Sequence, residues 1–98
     1  MARARIADPA LRAADFAAVF GVSDRTVQAE FAAAGETFAS WLLAERLDLA
    51  HARLTAVPWR SRSVAQISTA CGFRDPTHFH RVFRGRFETT PGELRAGR

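Results

Sequence analysis

Residues 70–84 read Ala70-Cys71-Gly72-Phe73-Arg74-Asp75-Pro76-Thr77-His78-Phe79-His80-Arg81-Val82-Phe83-Arg84. Gly72 has no Cβ and therefore suits a tight turn of positive φ. Asp75-Pro76 spells an N-cap followed by the first helical residue. The carboxylate accepts from free amides of the first turn, and the fixed φ of proline is already helical. Phe79 and Phe83, four apart, fall on one face and read as core, as does Cys71. The stretch is thus a helix end, a turn and a second helix running to about Phe87. Ser68, four residues before Gly72, is small enough for the two helices to cross closely.

The same arrangement occurs about fifty residues upstream. Ala17, Gly21, the cap Ser23, and Val27 with Phe31 repeat the spacing of Ser68, Gly72, Asp75, and Phe79 with Phe83. A single match is common among helical hairpins. Two in tandem specify a repeated helix-turn-helix plan, in which the second helix of each pair enters a major groove. Between the repeats, Thr37 caps a helix expected to run to about Ala56. Its apolar face is Phe38, Leu42 or Leu43, Leu47, Ala50 and Leu54. About 19 helical residues span roughly 28 Å, against roughly 34 Å for one turn of B-DNA. One monomer can then reach two successive major grooves.

Outside these segments the punctuation is also legible. Asp8-Pro9 reads as the N-cap and first residue of a helix ending near Phe20. Gly35 ends the first recognition helix and Pro58 blocks the long one, leaving residues 57–62 as a basic loop. Ser63 with Gln66, and Thr90 with Glu93, form capping boxes for two further helices, with Val64 and Ile67 turned inward in the first of them. The expected fold is all-α and homeodomain-like, with about seven helices. It divides into a first helix-turn-helix unit (residues 1–36, its first helix short), a linker helix (37–57) and a second unit (58–98).

Composition agrees with this plan and narrows the function. Hydrophobic residues make up 48% of the 98, many of them alanine, which suits one compact domain or two very small ones. The net charge is +4, and all fourteen basic residues are arginine. Residues 1–57 carry six Arg and seven acids, a net of −1, whereas residues 58–98 carry eight Arg and three acids, a net of +5. A polyanionic partner is therefore expected at the C-terminal unit.

Other classes are disfavoured. One cysteine excludes an internal disulfide and any multi-cysteine metal site. His78 and His80, two apart, do not share a helix face, so no metal is expected. Paired carboxylates, nucleophile triads and phosphate loops are absent, and neither a cofactor nor an enzyme activity is expected. No apolar run approaches a membrane span of roughly 20 residues, and Met1–Ile6 leads into no signal-peptide core. The expected compartment is the cytoplasm, with association to the nucleoid when DNA is bound.

The segment 70–84, with Phe87 and Thr90-Pro91, resembles the second-unit signature of the AraC/XylS family of bacterial transcription regulators, in their C-terminal DNA-binding domain. Gly21-Val22-Ser23 with Gln28 and Phe31, and Trp41-Leu42 with Arg46-Leu47, extend the resemblance to about residues 8–96. It implies sequence-specific binding of double-stranded DNA and regulation of transcription, usually activation through RNA polymerase. The span of the linker helix leads to the expectation of a monomer or weak dimer on DNA. Carried over by position, the first recognition helix presents Arg25, Gln28 and Ala29 to the bases. The second presents Pro76, Thr77, His78, His80 and Arg81. Bidentate pairing of Gln with adenine and of Arg with guanine fits these roles. Ser23, Arg60, Arg62, Ser63, Arg84 and Thr90 are the expected phosphate contacts.

Four departures stand out. Ala29 occupies a position that is often basic in the family, and Asp24 and Glu30 make the first recognition helix net negative. Ser68 and Leu94 replace the usual alanine and aromatic. Glu88 replaces a common glycine, and only Met1–Ala7 precede Asp8. These features motivate a second expectation, a protein-interaction module or sensor-less fragment that binds DNA weakly and without sequence preference.

Overall fold

A computed structural model describes residues 3–97; the outermost residues of the first and last expected segments lie outside them. The described residues are all-α. The helices are α1 (Arg3–Ile6), α2 (Ala13–Phe20), α3 (Asp24–Ala33), α4 (Phe38–Leu54), α5 (Val64–Ala70), α6 (Pro76–Phe87) and α7 (Pro91–Ala96), with a 3-10 turn at Val57–Trp59.

The caps act as their chemistry dictates. The side chains of Ser23, Thr37, Ser63, Asp75 and Thr90 each accept from a first-turn amide of the helix they precede. Ser63 and Thr90 complete reciprocal boxes, their own amides donating to Gln66 Oε1 at 2.8 Å and Glu93 Oε1 at 2.9 Å. Gly21, Gly35 and Gly72 take positive φ at the three helix ends where the chain turns.

The core is one continuous cluster about α4. Phe38, Leu42, Leu47, Ala50 and Leu54 are buried, so the open choice at 42/43 falls to Leu42, while Leu43 is half-buried. Leu49 is also buried, outside the expected ladder. The helix stops at Leu54, two residues early, because Thr55 leaves helical geometry and the 3-10 turn begins. Its 17 residues span roughly 25 Å, and the molecule measures 43 Å along its longest axis.

Two local expectations are corrected. Asp8-Pro9 does not start a helix: Asp8 Oδ1 accepts from the Ala10 amide at 2.9 Å, closing a turn. Arg46 of α4 then claims the Ile6 carbonyl at 2.7 Å and the Asp8 carbonyl at 2.6 Å, acceptors that a continuing helix would need. Leu11 is buried in the resulting connection, and α2 begins only at Ala13, where Asp15 accepts from the Arg12 amide at 3.0 Å. Ahead of it, α1 packs on α4 through the buried Ile6. The second correction concerns residues 57–62, which are not simply a loop, since Val57–Trp59 form the 3-10 turn.

Candidate nucleic-acid interface

α6 is fixed on its inner side by aromatic packing. Phe79 and Phe83 are fully buried, with ring centroids 5.5 Å apart, and Phe73 stacks on Phe79 at 4.8 Å. Cys71 lies beneath them, and burial pushes its thiol pKa up, outweighing the nearby Arg53 guanidinium. Such a thiol is a packing group rather than a nucleophile.

The outer side of α6 gathers most of the expected base contacts. Thr77, His80, Arg81 and Arg84 line one shallow groove with Gly85. Their spacing of i, i+3, i+4 and i+7 makes a single stripe, directly opposite the phenylalanines. Pro76 is exposed at its start. His78 sits to one side and half-buried, 6.5 Å from the Phe73 ring, where its Nδ1 accepts from Arg81 Nη2 at 3.1 Å. Arg81 therefore makes no ion pair with Asp75 or Asp48 and stays available to a ligand; Asp48 is held by Arg86 instead.

α3 presents Arg25, Gln28 and Ala29 as an exposed stripe of the same kind. Val27 is buried and Phe31 half-buried on the opposite side. The hydroxyl of Ser23 is engaged by the Thr26 amide at 3.0 Å.

The other expected phosphate contacts are not equivalent. Arg60, Arg62 and Arg84 are exposed, with Arg62 also lying 5.5 Å over the Trp59 ring. Ser63 and Thr90 have both hydroxyl and amide engaged in their helix caps, and Thr90 is half-buried. Trp59 is half-buried, and the Arg53 guanidinium also lies over its ring, 4.3 Å from the centroid.

Several arginines serve the fold, which the sequence reading had not separated from those facing solvent. Arg46 binds two carbonyls, Arg53 donates to the Ala70 carbonyl at 3.1 Å, and Arg95 donates to the Trp59 carbonyl at 2.8 Å. Arg74, at the second turn, is exposed and shares a cleft with Arg5 and Arg12, offset there by Asp8 and Asp15. Among the described residues no cluster of three or more His, Cys, Asp or Glu is placed to hold a metal. No helix there is long and apolar enough to cross a membrane.

A family model described as a helix-turn-helix domain matches residues 16–97, from within α2 through α7. The chain belongs to the AraC-type helix-turn-helix family. This AraC-type domain is 41% identical over 88 residues to the transcriptional activator NphR of a Rhodococcus species, covering 90% of this chain and 25% of that protein. It is 35% identical over 81 residues to the transcriptional activator RhrA of Rhizobium meliloti, covering 83% and 26%. The chain spans about a quarter of the length of these curated relatives. Among solved structures it is similar to an AraC-type transcriptional regulator from Chromobacterium violaceum. That match has a TM-score of 0.78 and 36% identity, and covers 88% of this chain and 75% of the other. A DNA-binding transcriptional dual regulator from Escherichia coli K-12 shares the fold at a TM-score of 0.86 and 19% identity, covering 96% and 86%. The AraC-type family is one of DNA-binding transcription regulators, and duplex DNA is the ligand of this fold.

Proposed function

We propose that the chain reads a specific duplex site with α3 and α6 in successive major grooves, α6 contributing most of the discrimination. The observation that carries this is the exposed Thr77-His80-Arg81-Arg84 stripe. It lies over the buried Phe79 and Phe83, and among the described residues neither Arg81 nor Arg84 makes an ion pair. Arg81 suits bidentate contact with guanine, Thr77 a base edge or thymine methyl, and Pro76, His78 and His80 the flanking positions. On α3, Gln28 suits adenine, with Arg25 and Ala29 beside it. Arg60, Arg62 and Arg84 suit phosphates, while Ser23, Ser63 and Thr90 contribute mainly by ordering helix starts.

The domain works without cofactor or catalysis, in the bacterial cytoplasm at the nucleoid, as a monomer or weak dimer on DNA. Within a regulator it acts as an activator in contact with RNA polymerase; the activating role is supported by the two relatives that are transcriptional activators. The division at residues 36/37 and 57/58 separates the two reading heads from their spacer.

A second reading is favoured by one observation. Asp24 and Glu30 flank the α3 stripe, so the first unit faces DNA with less attraction than the second. Selection of sites from a random duplex pool, followed by salt titration of the best site and its scramble, separates the readings. Two half-sites about one turn apart establish reading by both units. A single half-site assigns sequence reading to α6 alone. No enrichment, with a salt slope near zero, refutes DNA reading and leaves a protein-interaction module. In the selected complex, Arg81→Ala costs roughly 1–3 kcal/mol at the site and little on scrambled DNA.

A further inference from the structure

The two repeats place equivalent residues at their turns, yet they treat them in opposite ways. In the second unit Cys71 and Phe73 are buried, at 0% and 6% exposure. Their counterparts in the first unit, Phe20 and Val22, are 53% and 42% exposed. What packs on each turn accounts for the difference. A Cβ on Gly72 would lie 2.8 Å from Arg46 Nε and 3.1 Å from the Ala7 carbonyl, because the α1–α2 connection and α4 roof that turn. A Cβ on Gly21 would meet nothing within 4 Å. The first unit is therefore a helix pair lacking its roof.

The unroofed face is a groove of about 480 Å³ between α2 and α3. Its floor is Phe16, Phe20, Val22, Val27 and Phe31, with Phe16 and Phe20 centroids 4.9 Å apart. Glu30 and Glu36 stand on its rim, and neither carboxylate has an ion-pair partner among the described residues. Thr26, Glu30 and Ala34 on this side of α3 follow a helical stripe distinct from that of Arg25, Gln28 and Ala29. A ligand in the groove thus leaves the DNA-facing stripe uncovered, and the acidic rim repels a polyanion.

We propose that this groove is a docking site for a protein segment, an amphipathic helix whose apolar anchors are flanked by Arg or Lys. The anchors fill the aromatic floor, and the cations pair with Glu30 and Glu36 in the place of the missing roof. The first unit is then the protein-facing half of the molecule and the second its DNA-facing half. This assignment goes beyond DNA reading and does not depend on it.

The test is selection from phage-displayed random peptides of about 16 residues, roughly four helical turns, on the purified chain. Enriched peptides are then synthesised and titrated, with amide shifts mapped by NMR. The expected result is apolar residues at i, i+3 or i+4 spacing beside Arg or Lys, with shifts confined to residues 13–37. Phe20→Ala and the pair Glu30→Gln with Glu36→Gln each weaken binding about tenfold or more. Thermal unfolding unchanged in both variants, and duplex titration unchanged in Phe20→Ala, show that neither loss comes from misfolding. Four results overturn the proposal. These are no enrichment, peptides lacking basic residues, affinity indifferent to Phe20→Ala, or Phe20-dependent self-association, which would make a second copy the occupant.

Discussion

Arg86 grips Asp48 with two hydrogen bonds, Nε to Oδ1 at 2.9 Å and Nη2 to Oδ2 at 3.1 Å, tying the last turns of α6 to the linker helix. Both side chains are well exposed, so the pair contributes only about 0.5 kcal/mol to folding. Its expected effect is on the seating of α6 against α4, which the pair bridges. Arg86→Ala is expected to lower affinity for the selected DNA site several-fold while leaving the salt slope unchanged. Arg84→Ala, at a proposed phosphate contact, is by contrast expected to reduce the slope by about one. Parallel salt titrations of the two variants distinguish an orienting arginine from a DNA-bound one.

Glu88 ends α6 in the left-handed region, at φ 58°, the one non-glycine residue there among those described. The Cβ makes that conformation unfavourable by about 1 kcal/mol. Glu88→Gly is expected to raise the urea unfolding midpoint accordingly, with no change in the slope of the transition. An unchanged or lowered midpoint shows that the Glu88 side chain offsets its backbone strain.

The two turn glycines are expected to respond unequally to alanine. Gly21→Ala meets open space, and its cost is the conformational one, about 1 kcal/mol. Gly72→Ala combines a φ of 98° with a Cβ placed against Arg46, so it costs at least about 2 kcal/mol. It also displaces the guanidinium from the Ile6 and Asp8 carbonyls. Hydrogen exchange in residues 5–11 therefore accelerates in Gly72→Ala and not in Gly21→Ala. Equal costs, or unchanged exchange, contradict this account of the roof.

Acid is expected to loosen the C-terminal helix first. The Thr90 amide, followed by its hydroxyl, holds the Glu93 carboxyl below its usual range. A carboxylate with a depressed folded-state pKa adds stability above its unfolded value, and that stability is lost as pH falls through the folded one. The loss falls in the window below roughly pH 4. Glu93→Gln keeps an acceptor at the cap but does not titrate. Its unfolding midpoint is expected to vary less with pH over that window than that of the parent chain.

What the sequence disclosed was what short-range chemistry determines. The caps at Ser23, Thr37, Ser63, Asp75 and Thr90 need only a side chain and an amide two or three residues on. The α6 stripe follows from helical spacing alone. Asp8-Pro9 carried the same local signal and misled, because Arg46, 38 residues away, takes the Asp8 carbonyl. Arginine roles were opaque for the same reason. Arg46, Arg53, Arg86 and Arg95 each bind a group distant in the chain, and composition cannot tell them from Arg60, Arg81 or Arg84. Phe20 and Cys71 occupy matching repeat positions, so no pattern in either segment foretells that one is exposed and the other enclosed.

The connection between α1 and α2 precedes the first helix-turn-helix unit in sequence but rests on the turn of the second. The turn at Gly72 is consequently held to a segment that lies ahead of the first unit, through Arg46 and its bonds to the Ile6 and Asp8 carbonyls. The reading head farther along the chain is thus the one whose turn is covered by residues 6–8.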